Sequence, residues 1–278
     1  MSSPRLRTTA SGTKYFQEPG AVLIARTQTD LLPVHSFLAQ RDSSFEHYLF
    51  DGPRPDDGTL LAKFAGQLCY LSFGENRTKH ADAAKYIDHI KASGHGSVLE
   101  HANYSFLLYG IDRAVTHELV RHRAGMAYSQ VSQRYVGPEQ LVFVEPFEMQ
   151  NDERLHRHFE QLADEAKAKY EDMIEAFANR LASIEGESKR DKRKRMHSFA
   201  RRVLPNMTEA PIVATGNVRA WRHVLTMRLA QPADAAIRRA LWPVYEALLR
   251  ECPPCFDDFV RSELPDGTKA ATPRYGKV

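Results

Sequence analysis

Leu155, Phe159, Leu162, Ala166, Tyr170, Met173, Phe177 and Leu181 recur every three or four residues. That spacing puts them on one face of a single long α-helix, and a helix with one apolar stripe has to lay it along a core. No other feature of the chain limits its fold as strongly. The stripe reads as a core element and not as a cofactor box. The shorter elements are legible around it. Ala21 to Arg26, AVLIAR, suits a buried strand, and Asn103 to Tyr109, NYSFLLY, has strand-forming composition. Leu60 to Tyr70 and His80 to Ser93 have helical spacing, the second stopped by Gly94. Asp112 caps a helix carrying Ala114, Val115, Leu119 and Val120 on its apolar face. Ala127 to Tyr135 and Leu141 to Val144 read as extended, on either side of Gly137-Pro138. Two further helices, Asn217 to Leu229 and Ala233 to Arg250, part near Gln231-Pro232. Strands mostly precede helices, which favours an α+β fold over alternating βαβ units.

Length and composition bound the rest. A chain of 278 residues makes one large domain or two small ones. It can bury roughly 75% of its unfolded surface without covalent staples. Residues 1–20 are polar and read as a flexible segment, 21–260 as one domain, and 261–278 as a polar C-terminal tail. Within the domain, residues 32–58 end in DGPRPDDGT and read as an inserted loop. No apolar run follows the opening MSSPRLRTTASGTK or is long enough to span a bilayer. The chain therefore reads as cytoplasmic, neither exported nor membrane-spanning. Cys69, Cys252 and Cys255 make no disulfide framework, which agrees with a reducing compartment. Cys252-Pro-Pro-Cys255 has no βα redox context and no second pair to complete a zinc site, so it reads as a proline helix stop and no metal is expected. The net charge of +3 is too mild to argue for nucleic acid. The most basic run, KRDKRKRMHSFARR at 189–202, lacks interleaved aromatics and reads as a solvated helix face. A nucleic-acid patch is the alternative.

Chemistry gathers between Val115 and Tyr135, VTHELVRHRAGMAYSQVSQRY. Arg121, His122 and Arg123 stand in succession, and Arg134 follows a segment of hydroxyl and amide groups, Tyr128, Ser129, Gln130, Ser132 and Gln133. Guanidinium forks match phosphate bidentately, and short polar side chains complete such a cradle. Neighbouring cationic groups repel, and a bound polyanion relieves the repulsion. The alternative is a solvated helix end with favourable C-terminal charges. The chain has no G-x-G-x-x-G and no G-x-x-x-x-G-K-[ST], so neither a Rossmann turn nor a P-loop holds a nucleotide here. Arginines remain, with Arg201, Arg219 and Arg228 as further candidates from distant parts of the chain.

RHR followed by S-Q-R-Y-V resembles the signature of the flavin-dependent thymidylate synthases, the family that methylates dUMP using FAD. The resemblance runs from Leu61 to Phe259 through five ordered motifs. GHGSVLEH resembles the flavin-contacting segment, with His95, Ser97, Glu100 and His101, and Ser72 stands where the family has a serine near the flavin. HELVRHR puts Glu118 where members carry a nucleotide-contacting Gln or Glu. ARRVLP puts Arg201 at the dUMP-binding arginine. Asn217-Val-Arg219-Ala-Trp-Arg-His223 matches a motif whose polar residues line the flavin, and Arg228 matches the arginine that reaches the uracil ring. The resemblance thus implies an antiparallel sheet packed with long helices, with 21–260 as the catalytic domain. It implies FAD held by Ser72, Ser97, Glu100, Arg121, His122, Arg123, Asn217, Arg219 and His223. It implies dUMP held by Glu118, Arg121, Gln130, Ser132, Gln133, Arg134, Arg201 and Arg228, with Ser132 and Arg228 at the chemistry. Methylenetetrahydrofolate would give the carbon, NADPH the reducing power, and a homotetramer would share each site among subunits. A positive group beside the flavin tunes hydride delivery. Unlike cysteine-dependent uracil methylation, the scheme needs no poised thiolate, and no cysteine here stands in a setting that would lower its pKa.

Two departures from the family pattern stand out. AGMAYSQV, between Arg123 and Ser132, is one residue longer than usual, and a bulge near Gly125 would absorb it. Pro232 and Ala236 replace a His and a Glu of the family's pattern after the uracil arginine. They keep two alternatives in view: methylation of another uracil nucleotide such as UMP, and a non-catalytic flavin- or nucleotide-binding module.

Overall fold

The computed structural model describes residues 4–50, 52–74, 77–182 and 186–278; the readings placed on residues 1–3 and on Asp51 lie outside them. In chain order, β1 (Arg7–Thr8) and β2 (Lys14–Phe16) are followed by β3 (Gly20–Arg26). Next come α1 (His35–Arg41) and α2 (Asp57–Leu68), the latter started by Asp56, whose carboxylate accepts from the Thr59 amide. α3 (Ala83–Ala92) ends at Gly94, whose φ of +69° suits the left-handed stop expected there. β4 (Asn103–Tyr109) leads to α4 (Arg113–Leu119), capped by Asp112 accepting from the Val115 amide at 2.9 Å. β5 (Met126–Gln130), β6 (Val142–Val144) and the one-turn α5 (Phe147–Gln150) precede α6 (Glu153–Ala182), a helix of 30 residues. α7 (Lys189–Ala200) is capped by Ser188. β7 (Ile212–Asn217) runs into α8 (Val218–Arg228) through the Asn217 cap, and α9 (Ala235–Glu251) starts under Asp234. The short α10 (Pro253–Phe256) and the antiparallel pair β8 (Phe259–Glu263) and β9 (Lys269–Pro273) complete the chain. The class is α+β, with one four-stranded sheet of order β3-β4-β7-β5.

The chain divides into two compact units. The first comprises residues 1–21, 107–121 and 128–213, the second 22–106, 122–127 and 214–278. In the first unit β2 pairs parallel with β6 (Tyr15 opposite Phe143) and antiparallel with β1. Tyr15, Leu141, Phe143, Phe159, Ala163, Tyr170 and Ala200 form its core, all at 4% exposure or less. In the second, Trp221 of α8 is fully buried, donates to the Tyr104 carbonyl at 3.0 Å and meets Phe106 edge to face. A tryptophan whose N–H is paired can be buried at no polar cost.

Several elements differ from the sequence reading. β3 forms, but Val22 and Ile24 stay 45% and 51% exposed because it is the edge strand of its sheet. The stretch read as an inserted loop holds α1 and a 3₁₀ segment (Ser43–Phe50). Its Leu38 and Tyr48 form a buried hydrophobic cluster with Phe73, and the Lys63 ammonium lies 4.5 Å from the Tyr48 ring centre. Its Pro, Gly and Asp density is greatest at the C-terminal end and masked the helical part. The N-terminal residues read as flexible supply β1 and β2, and Thr9 donates to Asp164 at 2.7 Å. The stretch read as a polar tail contains the end of β8, a turn and β9. On α6 the buried side includes Ala163 and leaves Leu155 and Leu162 on the flank, 38% and 50% exposed.

That rotation of α6 has a measurable consequence. Phe159→Ala is expected to destabilise the protein by about 3–5 kcal/mol, whereas Leu162→Ala is expected to stay within about 0.5 kcal/mol. Urea unfolding of the two variants checks this; equal losses would contradict the assigned core face.

Candidate active site

In the first unit α4 ends at Leu119 and delivers Arg121 to the surface, where its Nη2 lies 3.0 Å from His117 Nε2. Glu118 is half-buried on the same helix. Gln130 ends β5, and a turn follows in which the Tyr135 amide donates to the Ser132 carbonyl at 3.0 Å. The Arg134 amide donates to Ser132 Oγ at 3.4 Å, and its Nε donates to Ser198 Oγ on α7 at 3.3 Å. Gln133 is 8% exposed, and its buried Nε2 has no hydrogen-bond partner among the described residues. An orphaned buried donor costs roughly 1–3 kcal/mol, so the residue fits a site where a ligand oxygen supplies the acceptor. Arg201 follows the last turn of α7, half-buried. Ser198 was missed in the sequence; its only signal is a position three residues before Arg201 on a helix. The basic face of α7 is partly neutralised by Arg195–Glu187 at 3.0 Å and Arg193–Glu139 at 3.8 Å.

The second unit brings together residues from distant motifs. Arg228, at the end of α8, donates its Nε to His122 Nε2 at 2.9 Å, across 106 positions of sequence. The His223 ring stands edge-on to His122 with centroids 5.6 Å apart. Arg123 is exposed. The turn after it closes through the Met126 amide on the Arg123 carbonyl at 3.3 Å. Gly125 in that turn has φ +69°, and a Cβ there would lie 2.9 Å from both Ala220 and Asn217. Only glycine fits this turn. Asn217 spends its side-chain oxygen on the Ala220 amide at 2.8 Å as the α8 cap. One turn on, Arg219 pairs with Glu100 at 2.6 Å, joining two residues read separately from the sequence. Asp234 accepts from the Ala236 amide at 2.8 Å, so the stretch holding Pro232 and Ala236 serves as the N-terminal cap of α9.

A cavity of about 410 Å³ opens beside Arg219, between α2, α3 and the His95–Val98 turn. Its walls combine Tyr70, Tyr86, Ile90 and Val98 with His95, Ser97 and Arg219. Flat aromatic bodies with polar tips suit a heteroaromatic ring, and a guanidinium suits a diphosphate. The donor set fits FAD on those grounds. Ser72 is turned elsewhere: its hydroxyl donates to the Gln67 carbonyl at 3.3 Å, after a strained Leu71 at φ +47°.

The electrostatics correct one expectation. The triplet Arg121, His122, Arg123 was read as three neighbouring cationic or near-cationic groups. Burial, then the Arg228 charge, then His223 push the His122 pKa down from an ordinary 6.5 to about 4. At neutral pH the imidazole is uncharged. With Nε2 accepting from Arg228, its proton resides on Nδ1, which makes His122 a directed neutral donor. The folded state therefore binds fewer protons than the unfolded one between about pH 4 and 6.5. This contribution to stability is complete above that window and lost as pH falls through it. NMR titration of the His122 ring is expected to give a midpoint near 4, and Arg228→Met is expected to raise it while leaving it below 6.5, since burial remains. A wild-type midpoint at the ordinary value would contradict the neutral imidazole.

Comparison with known proteins agrees with these pieces. Residues 54–254 match the profile of the family described as Thymidylate synthase complementing protein. Over 217 residues the chain is 43% identical to a protein of Mycolicibacterium vanbaalenii named Flavin-dependent thymidylate synthase, covering 78% of this chain and 86% of that one. A protein of the same name from Mycobacterium tuberculosis has the same identity and coverage, and one from Mycolicibacterium gilvum is 42% identical over the same lengths. This chain belongs to the flavin-dependent thymidylate synthase family.

Proposed function

We propose that the chain catalyses the FAD-dependent reductive methylation of dUMP to dTMP, with methylenetetrahydrofolate as carbon donor and NADPH as reductant. The observation that carries this reading is the Arg228–His122 pair. It unites the residue matched to the uracil ring with the centre of the RHR triplet matched to the flavin. The names of the relatives specify thymidylate, which favours dUMP over UMP. The partly neutralised face of α7 offers little to a nucleic-acid-binding role.

Bound FAD supplies the hydride. The protein's own residues bind and orient. In the first unit, Gln133, Arg134 and Arg201, with Ser132 and Gln130, hold the phosphate and sugar of dUMP; the orphaned Gln133 Nε2 supports this assignment. Glu118 and Arg121 complete that set. Arg228 addresses a uracil carbonyl, and its fixed charge would stabilise the enolate-like density on that oxygen that makes C5 nucleophilic toward the one-carbon unit. His122 Nε2 accepts the hydrogen bond from Arg228 Nε and so orients the guanidinium without diluting its charge. Ser97, Glu100, Arg121, His122, Arg123, Asn217, Arg219 and His223 line the flavin, while Ser72 turns its hydroxyl to the Gln67 carbonyl.

No thiol is suited to nucleophilic attack on uracil. Cys252 and Cys255 are fully buried, and burial pushes the Cys252 thiol well up. Cys69 is exposed but turns its sulfur to the Ala65 carbonyl at 3.4 Å. We take residues 21–260 as the catalytic domain, which contains the family match at 54–254. A homotetramer in the cytoplasm is proposed from the resemblance; free buried cysteines suit a reducing compartment. Among the described residues no helix is long and apolar enough to cross a membrane.

Tritium release from C5-labelled nucleotide tests the reading. Release is expected from dUMP and not from UMP, only with FAD, NADPH and methylenetetrahydrofolate all present, and Arg228→Met is expected to lower it by 10²-fold or more, about the cost of one transition-state donor. Release from UMP, or release unaffected by Arg228→Met, would contradict it.

A further inference from the structure

Arg219 is held from two sides. Glu100 takes Nη1 at 2.6 Å, and Nε donates to the Val278 carbonyl at 3.2 Å. Among the described residues Nη2 has no partner, so one edge of the guanidinium is left for a ligand. The second hold comes from the segment Arg274–Val278, which the sequence reading treated as a tail.

That segment is anchored by a buried ion cluster in the same unit. Asp258, 5% exposed, accepts from Arg222 through both oxygens, Nη1 at 2.7 Å and Nη2 at 3.0 Å. The buried Lys91 ammonium lies 2.6 Å from Asp257 and 3.4 Å from Asp258. Three backbone groups at the segment's start meet this cluster. The Arg274 amide donates to the Asp258 carbonyl at 2.9 Å and the Tyr275 amide to Asp258 Oδ2 at 3.3 Å, while Arg222 Nη2 donates to the Tyr275 carbonyl at 3.1 Å. From there the segment runs to the 94–96 turn. A Cβ on Gly96 would collide with the Val278 backbone and lie 2.8 Å from Arg219 Nε, so glycine is required for the approach. Gly96 and Arg219 are also cavity walls.

Buried ion pairs return little net stability, because desolvation offsets their attraction; their best-attested use is to fix one arrangement. Here the arrangement fixed is the course of five residues that end on a guanidinium assigned to the flavin. We propose that Arg274–Val278 is a positioning strap for flavin binding, with Asp258 and Arg222 as positioning residues that act through it on Arg219. This rests on the flavin-dependent reading above. The strap restricts Arg219 to one rotamer and lowers the entropy lost when the cofactor binds.

Fluorescence titration of FAD into apoprotein tests the strap with three variants: deletion of Lys277–Val278, Arg219→Ala, and both together. The deletion is expected to weaken FAD binding about tenfold with an unchanged thermal midpoint, and to add nothing in the Arg219→Ala background. Asp258→Asn is expected to reproduce the weakening from the other end of the strap. KM for dUMP at saturating FAD is expected to stay as in the wild type. Unchanged FAD affinity on deletion, or losses from the deletion and Arg219→Ala that simply multiply, would overturn the strap while leaving the enzyme reading intact. A wild type that takes up no flavin would overturn that reading and the strap with it.

Discussion

A guanidinium placed 2.9 Å from an imidazole nitrogen decides how charge is distributed in the second unit. Burial first, and then the Arg228 charge, keep His122 neutral. The positive charge then stays on the one group matched to uracil, and the histidine becomes a hydrogen-bonding support with a defined tautomer. The Gly125 turn belongs to the same arrangement, since only a residue without Cβ lets that turn lie against Asn217 and Ala220 at the start of α8.

The residues assigned to substrate and cofactor divide between the two compact units. Those matched to dUMP fall in the first except Arg228, and those matched to FAD fall in the second except Arg121. The two sets are also supported differently. The first depends on α7 and the Ser132–Tyr135 turn, where hydroxyls and amides accompany arginines and one buried amide is left unpaired. In the second, arginines are fixed by a histidine, a carboxylate or a backbone carbonyl before any ligand arrives. Guanidiniums oriented in advance bind a planar anionic partner with less ordering cost than free ones.

What could be read from the sequence followed from local rules. The cap at Asp112, the stop at Gly94 and the long α6 helix each depend on residues within a few positions of one another, and each formed. Short ordered motifs located the candidate residues for the same reason. Features set by distant partners left no periodic trace. β1 and β2 are two and three residues long and exist because β6, far along the chain, pairs with β2. The strap depends on charges at Lys91, Arg222 and Asp258, which composition alone classes as surface residues. The neutral state of His122 was illegible too, because it requires Arg228 to arrive from the far end of α8.

The account holds at its centre that uracil is activated by a fixed arginine charge, with no protein thiol bonded to the ring. Intact-protein mass spectrometry after acid quench, on enzyme incubated with 5-fluoro-dUMP and its co-substrates, tests this most directly. The account predicts protein at its unmodified mass throughout. A species heavier by one nucleotide, mapped to Cys69 or to any other cysteine, would contradict it.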